Sequence, residues 1–151
     1  MTVLYFEDFV VGQTFESGHL TIDSGQIKRF AAEYDPQPFH LDEETARDTM
    51  FEGLAASGWH TAALTMRLLV NSKVKPAGGL IGAGCDELRW PRPVRPGDEL
   101  HLKSEVLEVR PSKSRPHQGF VKMRTTTFNQ KGEEVQIMTA NLVVLRRSTA
   151  A

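Results

Sequence analysis

The sequence predicts an α+β domain in which an antiparallel sheet wraps around one long central helix. Three observations carry this: helical spacing before residue 35, a long apolar stretch over Gly53–Val70, and four β-rich segments separated by turn signals after it. A chain of 151 residues, 40% of them hydrophobic, supports one core and is shorter than two ordinary domains need, so a single domain over residues 1–151 is expected.

Residues 4–11 read as a lead-in to a turn at Gly12, and Thr14–Ile22 as a short strand interrupted at Ser17-Gly18. Asp23-Ser-Gly-Gln26 offers a capping box, after which Ile27, Phe30, Ala31 and Tyr34 recur at helical spacing and deliver Asp35 to the helix end. Pro36 and Pro38 stiffen the turn Tyr34-Asp-Pro-Gln-Pro-Phe-His40, because each fixes its own φ and pushes the preceding residue toward an extended conformation. Asp42 then caps a short helix running to about Asp48. Over Gly53–Val70, apolar and small residues cover most of the helical circumference, which predicts a buried helix ending before Pro76 and Gly78-Gly79. Antiparallel strands are expected at Leu80–Trp90, Glu99–Val109, Gly119–Phe128 and Val135–Leu145. A Pro-Gly-Asp turn, an exposed loop over 110–118 and a hairpin at Asn129–Gly132 connect them.

Basic and acidic residues nearly cancel, 18 against 19, so bulk charge calls for neither nucleic acid nor a membrane surface. A small molecule and another copy of the chain are the expected partners. The amino-terminal segment has no basic start or sustained apolar core, and no run reaches membrane-spanning length, so a cytoplasmic protein is expected. The lone Cys85 excludes an internal disulfide and a cysteine-rich metal site, and reads as a small buried residue.

Chemistry concentrates at Asp35 and His40, a carboxylate and an imidazole five residues apart on a rigid turn, a pairing suited to proton transfer near neutral pH. The same residues also read as a turn-former and a packed helix-entry histidine. His60 and Thr61, just inside the long helix, read as candidates to line a pocket, with a satisfied buried histidine the favoured reading of His60. With no third ligand near His40 or His60, no metal site is expected. Arg89, Arg92, Arg95, Lys113 and Arg115 form the most basic part of the chain, suited either to phosphate groups or to a solvated loop. Gly78–Gly84 lacks the flanking strand and helix of a dinucleotide loop.

The ordered set Asp35, Pro38, His40, Asp42, Ala46, Phe51, Gly53 and Gly58, followed by Leu88-Arg-Trp-Pro-Arg-Pro-Val-Arg-Pro-Gly-Asp98, resembles the MaoC-like dehydratases and (R)-specific enoyl-CoA hydratases. Three departures stand out: Gln37 where that family usually has Asn, Tyr34 where a Gly often precedes the Asp, and Ala-Ser-Gly before the long helix rather than Ala-His-Gly. The resemblance implies a hot-dog fold and reversible hydration of a 2-enoyl-CoA to a 3-hydroxyacyl-CoA. It implies Asp35 and His40 as the acid–base pair and the N–H of Gly58 as an oxyanion donor, with no cofactor beyond the coenzyme A of the substrate. Gly58 also reads as a packing glycine where helix meets sheet. A homodimer or higher homo-oligomer is expected, to cover exposed sheet edges. A hot-dog thioesterase and a non-catalytic acyl-CoA-binding subunit are the alternatives.

Overall fold

Alternating apolar residues give the second half of the chain its sheet. Along β5 (Gln118–Phe128), Val121, Met123, Thr125 and Thr127 point to the buried face while their neighbours face outward. The computed structural model describes residues 2–148; the expected domain limits at Met1 and Ala151 lie outside the described residues. β5 sits between β4 (Glu99–Pro111) and β6 (Glu134–Leu145), and Met123 faces Val106 on one side and Ala140 on the other. The order is β1-β4-β5-β6-β3, antiparallel throughout, with β1 (Thr14–Glu16) and β3 (Ile81–Arg89) at the edges. The strand expected over Thr14–Ile22 divides into β1 and β2 (Leu20–Thr21), which pair with successive stretches of β4. The division falls at Ser17-Gly18, where Ser17 Oγ accepts from the Leu102 N–H and so interrupts the regular ladder.

Helix α1 (Ser24–Tyr34) begins with the expected capping box: Asp23 accepts from the Gln26 N–H, and the Gln26 side chain accepts from the Asp23 N–H. Pro38 opens a single turn, α2 (Pro38–Leu41), and Asp42 caps α3 (Glu43–Arg47) by accepting from Thr45. The central helix α4 (Gly58–Val70) lays Thr61, Thr65, Leu68 and Leu69 on the sheet, where Thr65 and Thr127 exchange a hydroxyl hydrogen bond of 2.7 Å. Leu68 and Leu69 join Ile22, Ile27, Leu100, Leu102 and Val121 in one core.

Three expectations are corrected. The helix expected from Gly53 begins five residues later, because Gly53–Ser57 form an extended strap whose Ala55 and Ala56 N–H groups bond to the carbonyls of Phe39 and Val94. Alanine side chains small enough for full burial let this strap pass through the interior, with Leu54, Ala55, Ala56 and Ser57 all buried. Helix α4 is not buried all round, since Trp59, Met66 and Val70 stand on an exposed face. Cys85 is likewise exposed, on edge strand β3, whose residues 81–86 are all exposed among the described residues.

Candidate active site

The end of α1, the turn α2 and the buried strap meet at one place. Asp35 closes α1, its N–H bonded to the Ala31 carbonyl, and the Gln37 and His40 N–H groups then bond to the carbonyls of Asp35 and Gln37. This chain of short-range bonds turns His40 back toward Asp35. His40 Nε2 lies 3.3 Å from Asp35 Oδ2, with both side chains largely buried. The other ring nitrogen, Nδ1, lies 2.6 Å from the Ala55 carbonyl oxygen, which can only accept. Nδ1 therefore carries a proton, and a neutral His40 presents its Nε2 lone pair to Asp35. Phe39 packs edge-on against the imidazole and Phe51 packs against Phe39, which fixes the ring plane.

Asp35 accepts from Ser57 Oγ at 2.7 Å through Oδ2 and from Gln37 Nε2 through Oδ1. Partial burial opposes the charge, but the hydrogen bonds from Ser57 and Gln37, together with the positive charge of the imidazole when it is protonated, outweigh it and hold the carboxyl below the usual carboxylate range. Ser57 also serves α4: its Oγ accepts from the Trp59 N–H at 3.3 Å. The strap thus supplies one outer partner to each member of the pair, the Ala55 carbonyl to His40 and the Ser57 hydroxyl to Asp35.

A cleft of about 540 Å³ opens beside the pair, lined by His40, Phe51, Gly58, Thr61, Trp90 and Arg95 among others. Asp35 stands one contact back, at Nε2 of His40. Gly58 is the first residue of α4, where an amide N–H has no intrahelical acceptor. A Cβ at Gly58 would lie 2.7 Å from the Trp90 indole, so only glycine lets the indole pack on the helix start. Trp90 Nε1 donates to Oε1 of the fully buried Gln136 at 2.9 Å, which holds the indole in place. The packing reading of Gly58 therefore has a structural basis alongside the chemical one.

A MaoC like domain model matches residues 8–129. The chain belongs to the MaoC-like dehydratase family. Its structure superimposes on a MaoC-like dehydratase from Rhodospirillum rubrum with a TM-score of 0.93 and 57% identity, covering 97% of this chain and 99% of that one. It is 34% identical over 139 residues to the uncharacterized protein YdeM of Bacillus subtilis, covering 92% of this chain and 96% of that protein. It is 36% identical over 116 residues to a 3-hydroxybutyryl-CoA dehydratase of Methylorubrum extorquens, covering 76% of this chain and 71% of that protein. The MaoC-like fold is the hot-dog arrangement of an antiparallel sheet on a central helix.

Several motif residues of this MaoC-like chain now have physical roles. Ala46 is fully buried, Phe51 braces the aromatic cluster around His40, and Gly97 in the Pro-Gly-Asp turn has a positive φ of 88°. Arg95 is neither free for phosphate nor merely solvated: its guanidinium donates to the carbonyls of Phe51, Gly53 and Leu54, fastening the loop that leads into the strap. Arg92 and Arg89 pair with Glu133 and Glu87. Thr61 lines the cleft, whereas His60 stacks on Phe30 with ring centroids 4.4 Å apart and is not satisfied as expected, for its buried Nδ1 has no partner. Burial lowers the His60 pKa and favours the neutral ring. Among the described residues no cluster of three or more metal-ligating side chains is found, and no helix is long and apolar enough to cross a membrane. Ser57 and the Ala55 carbonyl are the contributors that sequence reasoning missed. The signal was present in the Ala-Ser-Gly departure, but assigning the strap to a helix hid it.

Proposed function

We propose that this protein is an acyl-thioester hydro-lyase, which reversibly hydrates a 2-enoyl-CoA to a 3-hydroxyacyl-CoA. The observation that carries the reading is the Asp35–His40 pair beside the first amide of α4, with each side chain held by a separate partner on the strap. Membership of a family whose relatives include a 3-hydroxybutyryl-CoA dehydratase supports it.

In the hydration direction, a water beside the pair loses a proton as its oxygen bonds to C3 of the enoyl group. Nε2 of His40 and Oδ2 of Asp35 are both acceptors when the ring is neutral, so a water or a proton is needed between them. The π electrons move to the thioester oxygen, and the N–H of Gly58, at the positive end of α4, stabilises that charge. The proton held by the pair then passes to C2, leaving a saturated 3-hydroxyacyl thioester. No cofactor takes part in these steps, and coenzyme A enters only as the thiol carrier of the substrate.

The test follows enoyl absorbance and free thiol in parallel on a panel of short, medium and branched 2-enoyl-CoA thioesters. Loss of absorbance without thiol release, abolished in Asp35→Asn, is the expected result. Thiol release instead identifies a thioesterase; silence in both channels, with saturable ligand binding, identifies a binding subunit.

A further inference from the structure

We propose that Ser57 is a positioning residue whose single hydroxyl fixes the Asp35 carboxylate relative to the amide of Gly58; this rests on the hydro-lyase reading above. The two groups come from different elements, the carboxylate from the end of α1 and the amide from the start of α4. Proton transfer and oxyanion stabilisation must act on one substrate at once, and displacements near 1 Å can cost about a hundredfold in rate. Ser57 Oγ donates to Asp35 Oδ2 at 2.7 Å and accepts from the Trp59 N–H at 3.3 Å, so one oxygen ties both elements together.

The burial of the donors decides which one does the holding. Asp35 has two donors, Gln37 and Ser57. Gln37 is exposed, and water can replace its amide, whereas Ser57 is fully buried and has no such substitute. The strap that carries Ser57 is itself fastened, through the Ala55 and Ala56 amides to Phe39 and Val94 and through the Gly53 and Leu54 carbonyls to Arg95. Ser57 is therefore the rigid reference for the carboxylate, and Gln37 the adaptable one.

Three substitutions separate this role from simple capping of α4. Ser57→Gly keeps an acceptable N-cap residue and deletes the hydroxyl. Ser57→Cys keeps the shape and replaces the hydroxyl with a weak donor. Ser57→Thr restores the hydroxyl. The Gly and Cys variants are expected to lower kcat about tenfold or more with KM changed less than about threefold, and to move the acid limb of the pH–rate profile upward. The Thr variant returns both toward the parent. A carboxyl NMR titration of Asp35 reads the same contact without turnover: the midpoint rises in the Gly and Cys variants and falls back in Thr. Parental kcat, pH profile and titration in folded Gly and Cys variants overturn the proposal. If the parent itself hydrates none of the enoyl thioesters, the hydro-lyase reading fails while the titration still decides whether Ser57 sets the carboxylate.

Discussion

At the scale of single residues, the pair and its neighbours make three predictions. Asp35→Asn and His40→Ala are each expected to lower turnover at least about a hundredfold while the protein stays folded, as read by steady-state kinetics beside thermal melts. The pH dependence of stability follows from the carboxyl. Burial works against its charge, but hydrogen bonds from Ser57 and Gln37, with the imidazole of His40, prevail, so the folded protein holds this proton less tightly than the unfolded chain. Asp35 therefore stabilises the fold fully above the ordinary carboxylate value of about 3.9, and the benefit disappears as pH falls through the lower folded value. The melting-temperature gap between the parent and Asp35→Asn should narrow as pH is lowered below about 4. Gly58→Ala, with its new Cβ against Trp90, is expected to destabilise by about 1–3 kcal/mol in denaturant titrations. Most of that loss should vanish in a Trp90→Ala background, and if it persists, the glycine is required for another reason.

At the scale of elements, the strap is the feature that organises the site. Arg95 reaches the carbonyls of Phe51, Gly53 and Leu54 with one planar fork, a pattern that the point-like ammonium of lysine does not reproduce. Arg95→Lys should lower the urea midpoint by an amount equivalent to about 1–3 kcal/mol without changing the slope, and should reduce turnover although the side chain touches neither Asp35 nor His40. The same element shows where sequence reasoning succeeds and where it stops. The capping box at Asp23, the stiff turn carrying His40 and the strands around Met123 follow from local patterns, because capping, proline geometry and alternation act between near neighbours. Gly53–Ser57 do not, since Ala-Ala-Ser is compatible with a helix, and what holds it extended is contact with Phe39 and Val94, 16 and 38 residues away from the amides they receive. Asp35 and His40 were legible from their spacing and their family setting. Ser57 was not, because its role exists only once the strap is straight.

At the scale of the whole molecule, edge strand β3 and the exposed side of α4 present Ile81, Trp59, Met66 and Val70 to solvent in one chain. We propose that a second copy covers this side, since exposed large apolar groups beside an unpaired strand edge favour association. Light scattering should give twice the chain mass of 16.9 kDa, and Ile81→Lys should shift the population toward the single chain. The two tryptophans give the molecule a further property. They are the only two in the sequence, and their rings meet edge-on with centroids 5.2 Å apart. Trp90 lines that cleft and is hydrogen-bonded to buried Gln136, so the tryptophan emission, excited beyond the absorption of the two tyrosines, originates from one pair of rings beside the cleft. Under the proposed hydro-lyase function, a thioester entering the cleft would replace water around the Trp90 indole, and its occupancy would be titrated by emission wavelength in Asp35→Asn, with no dye and no turnover.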